Sequence, residues 1–368
     1  MKIAYHHDWL NGMRGGEKCL EAAIEEFGPG PVHTLFCEPG RVSPAIAACP
    51  IQTSWLQRVP GINRVYQWLL PLFPLAAGTI PPAEADLIVS MNHCVAKSFP
   101  KKSSSTPHLC YCFTPMRYAW LFFEEYFGRR PAWMRLLIRW VLKGLRWWDR
   151  RTNRGVDRFV AISEHVRARI ERFYQRDAGV VYPPVDTLFF TPDDQADRQE
   201  YLLVVSALVP YKRVDLAVSA AKRLGMSLKV IGDGPELSRL KTLAGPEARF
   251  LGWVSSEAIR DHYRSARALI FPGEEDFGIV PVEAQACGLP VIALGRGGAL
   301  ETIQSGVTGV FFEEPTVESL MKALARFGGI RWDESAIRAN AERFGLERFK
   351  RELAEEARRL YEAAGAVS

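Results

Sequence analysis

The chain has 368 residues, 48% of them hydrophobic and 24% charged, with a formal net charge of +5. That length exceeds what one hydrophobic core usually serves and predicts two domains, and the charge content is that of a soluble globular protein. Seven scattered cysteines, of which only Cys110 and Cys112 are close, make no zinc pattern and predict reduced thiols in a cytosolic protein.

In chain order, the opening MKIAYHHDWL is too short and too polar for a signal peptide. KIAY (2–5) reads as a first strand, and MRGGEK follows it with the paired Gly15 and Gly16. The most apolar run, WLLPLFPLAAG at 68–78, is broken by two prolines and falls short of the ~20 residues that span a bilayer. DLIVS (86–90), LCYCF (109–113) and RFVAI (158–162) each read as a strand leading into a loop and helix. His93 follows one of these strands and Arg117 another.

Residues 129–154 hold nine Arg or Lys against one Asp, a local +8, which leaves −3 for the rest of the +5 chain. Arg135, Arg139, Lys143, Arg146, Arg150 and Arg154 recur at three- and four-residue steps, one stripe of a helix. Leu137, Ile138, Val141, Leu145 and Trp148 are expected on the opposite, core-facing side. Trp140 and Trp147 flank the stripe. Such a face suits an anionic membrane surface, with Arg139, Lys143, Arg146, Trp140 and Trp147 as the contact set. No motif points to nucleic acid.

The segment VYPPVDTLFFTP (181–192) resists helix and reads as a linker. Beyond it, YLLVV (201–205), LKVIG (228–232), RFLG (249–252), ALIF (268–271) and PVIAL (290–294) alternate with helix-like stretches. Short apolar runs between helices predict buried parallel strands in a doubly wound sheet. Such sheets bind ligands at the carboxyl ends of their strands. The final ERFKRELAEEARRLYEAAG reads as a polar helix.

GEEDFGIVPVE (273–283) places Glu275 and Glu283 around Gly278 and Pro281. Pro281 predicts the first turn of a helix, which would put Glu283 in that turn and the free N–H groups of Gly278, Ile279 and Val280 at its amino end. Those groups suit a phosphate, and the two carboxylates suit sugar hydroxyls on either side of it.

This stretch resembles the E-x7-E motif of retaining glycosyltransferases with the GT-B fold, family 4. GGEK, CYCFTPMRYAW, VAISEHVRARI, VVYPPVD, SALVPYKRVDLAVSA, VIGDGPEL and GLPVIALGRGGALETIQSGVTG follow in the family's order over essentially the whole chain. The resemblance points in particular to mannosyl- and rhamnosyltransferases of bacterial O-antigen and exopolysaccharide assembly. It implies two Rossmann-like α/β domains facing across a cleft: an acceptor-binding domain over 1–190, a nucleotide-sugar domain over 191–345, and a C-terminal helix over 346–368 returning to the first. It implies that Glu275, with the N–H groups of Phe277 and Gly278, holds the donor sugar, and that Glu283 holds the ribose. Lys212, helped by Arg213, would neutralise the diphosphate. Gly232 and Gly234 would approach the base, with Trp253 and Val254 beside it, and Gly15 and Gly16 would approach the phosphate. His93 and Arg117 would contact the acceptor or phosphate, and His93 would take part in catalysis.

The implied donor is GDP-mannose and the implied acceptor a polyprenyl-diphosphate-linked saccharide, on the inner face of the cytoplasmic membrane, with no metal or other cofactor. In the implied mechanism the leaving phosphate takes the acceptor's proton on the same face of the sugar. The chain departs from the pattern at Phe113, where the family has histidine, and at Ala207, where many members have arginine. Phe113 keeps open an alternative: a non-catalytic GT-B scaffold or glycan-binding partner. A nicotinamide oxidoreductase fits poorly without G-x-G-x-x-G after the first strand, and an epimerase or phosphorylase on the same fold has no specific support.

Overall fold

A computed structural model describes residues 1–121, 123, 127–128, 130–193 and 195–365. The chain forms two compact units, one of Met1–Pro184 together with the segment from Glu347, the other of Val185–Leu346.

The first unit is built on seven parallel strands: β1 (Ile3–His7), β2 (Val32–Thr34), β3 (Ile51–Thr53), β4 (Leu87–Asn92), β5 (His108–Cys112), β6 (Arg158–Ala161) and β7 (Ala178–Val180). Their order in the sheet is 3-2-1-4-5-6-7. Strands β1, β4 and β5 are buried along their whole length, which explains the apolar stretches IAY, LIV and LCYC within them, while His6, His7, Ser90, Asn92 and His108 are polar residues buried among them. Strands β2, β3 and β7 have three residues each, too few for any periodicity to show in the sequence. Helix α1 (Gly15–Phe27) follows β1, helix α2 (Ala132–Thr152) carries the basic stripe, and helix α3 (Glu164–Tyr174) follows β6.

The second unit has six parallel strands: β8 (Tyr201–Val205), β9 (Ser227–Ile231), β10 (Ala248–Gly252), β11 (Ala268–Phe271), β12 (Val291–Leu294) and β13 (Gly309–Phe312), in the order 10-9-8-11-12-13. Between and after them run α4 (Val214–Leu224), α5 (Leu237–Leu243), α6 (Ser256–Ser265), α7 (Ile279–Ala286), α8 (Val317–Gly328) and α9 (Glu334–Glu342). Both sheets reverse direction of winding at one place, between β1 and β4 in the first and between β8 and β11 in the second. These are the two topological switch points, where doubly wound sheets open a crevice at their strand ends.

The last helix, α10 (Leu346–Gly365), belongs to the first unit by its contacts. Phe349 lies edge-on to Tyr111 of β5, Arg158 bonds Glu356 at 2.8 Å, and Lys350 pairs with Glu25 at 2.8 Å. All seven cysteines are buried and free.

Helix α2 corrects the sequence reading of its faces. Leu137 and Val141, expected in the core, are 57% and 37% exposed. The buried line instead runs through Leu142, Leu145 and Asp149. A polar anchor sets this rotation. Lys97, with no exposed side-chain surface, donates to the equally buried Asp149 carboxylate at 2.5 Å and to Thr152 Oγ1 at 2.8 Å. The other Asp149 oxygen accepts from Trp120 Nε1 at 2.7 Å and Tyr174 OH at 2.9 Å. A buried ion pair is tolerated when hydrogen bonds satisfy its remaining atoms, and seating Asp149 inward turns Trp133, Leu136, Leu137 and Trp140 outward.

Candidate active site

At the switch point of the second sheet, β8 leads into a single 3-10 turn, Pro210–Lys212, and β11 into the loop carrying Glu275. The Lys212 ammonium pairs directly with Glu275 Oε1, and both side chains are mostly buried. Sequence reasoning found both residues but not what joins them. Gly273 is the missing piece: a Cβ there would sit 2.8 Å from Lys212 Cα and 2.9 Å from Tyr211 O. Gly297 and Gly298 hold the other side of the loop. The Gly298 N–H donates to Glu275 O at 2.8 Å, and a Cβ on Gly298 would lie 2.3 Å from Phe277 Cα. The signal was present in GRGG, where two adjacent glycines mark close backbone approach.

Among the described residues, Arg213 is one of two non-glycine residues with positive φ, at 50°, a conformation that costs energy and gathers at functional sites. Its guanidinium is occupied by Asp215, at 3.2 and 3.4 Å. The charge nearest Glu275 is therefore Lys212.

The helix after Glu275 begins earlier in the sequence than the reading from Pro281 expected for Glu283. Gly278, at φ 96°, caps α7, and Ile279 and Val280 occupy its first two positions, where N–H groups have no intrahelical acceptor. Glu283 is the fifth helical residue, so it lies in the second turn and not the first. Tyr263 OH donates to Glu283 Oε2 at 3.3 Å. Burial pushes the Tyr263 hydroxyl well above the usual tyrosine range, with the Glu283 charge adding to it, so it stays a donor. Tyr263 escaped the sequence reading because a tyrosine inside HYRSA looks like a core residue. Phe277 is buried against Phe344 with ring centroids 5.5 Å apart, so only its main chain is left for a ligand.

Gly232 and Gly234 have positive φ, and their close approach is to the chain itself. Added Cβ atoms would meet Ser206 O at 1.9 Å and Leu208 O at 2.4 Å. The two glycines thus pack the loop after β9 onto the loop after β8. Trp253 is 83% exposed just beyond β10, and Val254 beside it is half-buried.

In the first unit, Gly15 opens α1 and Gly16 is its second residue. A Cβ on Gly16 would stand 3.3 Å from His7 Nε2 and 3.4 Å from the Phe113 ring. His7 is buried, donates Nδ1–H to Trp9 O at 2.8 Å, and burial holds its pKa below the usual histidine value. His93 sits just past β4, half-buried, with its Nδ1 2.9 Å from Asp8 Oδ2. Its ring is edge-on to Trp9 at 4.4 Å and 6.2 Å from Phe113. Arg117 opens a short helix, Arg117–Trp120, after β5. Asp8 is the residue that the sequence reading missed. An acid directly after the first strand, in HHDWL, was its signal.

On α2, Trp140 and Trp147 are exposed, Lys143 lies over Trp140, Arg139 over Phe123 and Arg146 over Trp120. Arg139 and Arg146 are thus partly held by neighbouring rings. Among the described residues no helix is long and apolar enough to cross a membrane.

Residues 189–343 match the family model described as glycosyl transferases group 1. A GDP-mannose-dependent alpha-(1-6)-phosphatidylinositol monomannoside mannosyltransferase of Mycobacterium tuberculosis is 32% identical over 206 residues, 48% of this chain and 54% of the relative. The chain therefore matches about half the length of its curated relatives. Among solved structures, a lipopolysaccharide outer core galactosyltransferase in apo form superposes with a TM-score of 0.66 at 18% identity, over 97% of this chain and 100% of the other. The Anabaena protein HepE in complex with UDP-glucose does so with a TM-score of 0.64 at 18% identity, over 97% and 99%. These likenesses establish the GT-B fold.

Proposed function

We propose that this chain, with a glycosyl transferases group 1 match across its C-terminal unit and a GT-B fold, is a retaining hexosyltransferase of family 4. The observation that carries the reading is Lys212 beside Glu275 at a switch point, followed at once by the amino end of α7. As a glycosidic bond to a nucleoside diphosphate breaks, negative charge builds on the leaving phosphate, and a fixed cation stabilises that charge more than the ground state. Lys212 supplies the cation, the Ile279 and Val280 amides add helix-end N–H groups, Glu275 accepts from sugar hydroxyls, and Glu283 accepts from the ribose. A diphosphate drawing Lys212 toward itself frees Glu275 for the sugar. The leaving phosphate takes the acceptor's proton.

We assign GDP-mannose as donor on the sequence resemblance and the GDP-mannose-dependent relative; the UDP-glucose complex of a structural neighbour marks the alternative base. The acceptor assigned is a polyprenyl-diphosphate-linked saccharide of bacterial surface polysaccharide. The basic, tryptophan-bearing α2 supports a peripheral place on an anionic membrane, on its cytoplasmic side. Phe113 favours a second reading, a non-catalytic sugar-nucleotide-binding scaffold.

Calorimetric titration with GDP and with UDP, repeated on Glu283→Ala, tests the donor site. Selective GDP binding lost in the variant supports the reading, and selective UDP binding replaces mannose by another sugar. Donor binding without sugar transfer to any membrane-extracted acceptor selects the scaffold.

A further inference from the structure

The switch point of the first sheet holds a second pair of groups, and its chemistry is different. Asp8 follows β1, His93 follows β4, and the two strands are neighbours. The Asp8 carboxylate is fully buried. It accepts four main-chain N–H groups, from His93 at 2.7 Å, Cys94 at 3.0 Å, Val95 at 2.5 Å and Ala96 at 2.7 Å. Its Oδ2 also lies 2.9 Å from His93 Nδ1. Burial pushes the Asp8 carboxyl up, but His93 and the N–H groups outweigh it and hold it down at about 2. It is therefore ionised at any working pH and can only accept.

An accepting carboxylate fixes the ring. Nδ1 must carry a proton, so in the neutral imidazole Nε2 keeps its lone pair. Among the described residues none bonds Nε2, and the His93 side chain is 28% exposed. Trp9 stands edge-on to the ring, and with the Asp8 bond it leaves the ring no second orientation. A lone pair backed by a carboxylate repels a phosphate and accepts from a hydroxyl.

We propose that Asp8 and His93 form a hydroxyl-binding dyad for the sugar-accepting substrate: His93 Nε2 accepts a hydrogen bond from an acceptor hydroxyl beside the attacking one, whose own proton goes to the leaving phosphate, and Asp8 is the positioning residue that fixes the His93 tautomer. This rests on the transferase reading and extends it to the acceptor. It also gives the first unit a polar ring close to Phe113. The charged or titratable groups facing His93 are Asp8 itself and His7, whose ring is 6.5 Å away; Glu17 acts on His7 in turn.

The test is 15N NMR of the histidine rings of the full chain at neutral pH, with transfer assays on the same samples. An alkyl mannoside serves as hydroxyl probe and GDP-mannose as donor. Wild type is expected to show His93 as the Nδ1–H tautomer, and Asp8→Asn to release it into a mixture. Because Asp8→Asn also loses acceptors for four N–H groups, His93→Phe is the second variant, since it leaves the carboxylate and its N–H groups in place. His93→Phe is expected to lower kcat/KM for the mannoside at least tenfold with GDP affinity unchanged. An Nε2–H tautomer in wild type, or a tautomer unmoved by Asp8→Asn, overturns the dyad. A wild-type transfer rate in His93→Phe overturns the hydroxyl role. If wild type binds GDP but transfers nothing, the transferase reading and the hydroxyl role both fall, while the tautomer still judges the dyad.

Discussion

Lys212 and Glu275 lie on adjacent strand ends of the second sheet and meet as an ion pair, although different βα units supply them. The pair is held by backbone fit. Gly273 admits the Lys212 turn, and Gly298 fastens the Glu275 loop. On the transferase reading, Lys212 is the charge that would meet the leaving phosphate. Lys212→Ala is expected to lower kcat by about 10²–10³, the usual loss for one preorganised stabilising group, measured as nucleotide diphosphate release under saturating donor. Gly298→Ala should lower activity similarly without touching a ligand, because its Cβ would drive into Phe277.

Tyr263 supports Glu283 from beneath. Tyr263→Phe keeps the buried ring and deletes only the donor. A hydrogen bond to a charged group is worth about 1.5–3 kcal/mol, so donor Kd should rise by about tenfold or more while kcat changes little. Calorimetry on the variant decides it, and an unchanged Kd would mean that Glu283 is positioned by other contacts.

The Lys97–Asp149 pair anchors α2 to the loop after β4. Asp149→Ala leaves a fully buried ammonium facing only neutral groups, a change that costs about 3–5 kcal/mol. Urea unfolding should show the first unit destabilised by that amount. Lys97→Met together with Asp149→Leu should recover much of it.

Three buried histidines lie together on the first sheet: His6, His33 and His108. His108 is satisfied as the neutral form, giving Nδ1–H to Gly155 O at 3.0 Å and accepting from Ser90 Oγ at 2.8 Å. Burial first, and then the Lys101 charge, lowers it from 6.5 to about 3. Burial also lowers His6 and His33. With folded values below unfolded ones, the unfolded chain takes up protons first as pH falls. The contribution of these histidines to stability is full above pH 6.5 and is lost as the pH falls toward 3. The urea midpoint should drop steadily across that window, and a constant midpoint from pH 7 to 4.5 would count against the buried neutral forms.

The exposed rings of α2 give the membrane reading a direct test. Trp133 and Trp140 project outward, and Lys143 lies over Trp140, whereas Arg146 lies over Trp120. Trp133→Ala with Trp140→Ala and Lys143→Glu should reduce cosedimentation with anionic vesicles more than Arg146→Glu alone. Equal sedimentation of all variants and wild type would remove α2 from the membrane.

The amino-acid sequence by itself determined the two-sheet architecture and the groups at the strand ends. Strands buried on both faces are mostly apolar, so YLLVV and ALIF announce themselves, and the segments after them carry Lys212, Glu275 and Glu283 in readable order. It could not show β2, β3 or β7, whose three residues carry no period. The tertiary structure alone decided which strand ends become neighbours. Asp8 and His93 stand 85 residues apart and meet only because β1 lies beside β4. Tyr263 reaches Glu283 only through helix packing, and the inward face of α2 was set by where Asp149 could find Lys97. Periodicity records which residues avoid water, whereas buried polar groups go where their partners are, and the order of the strands brings those partners together.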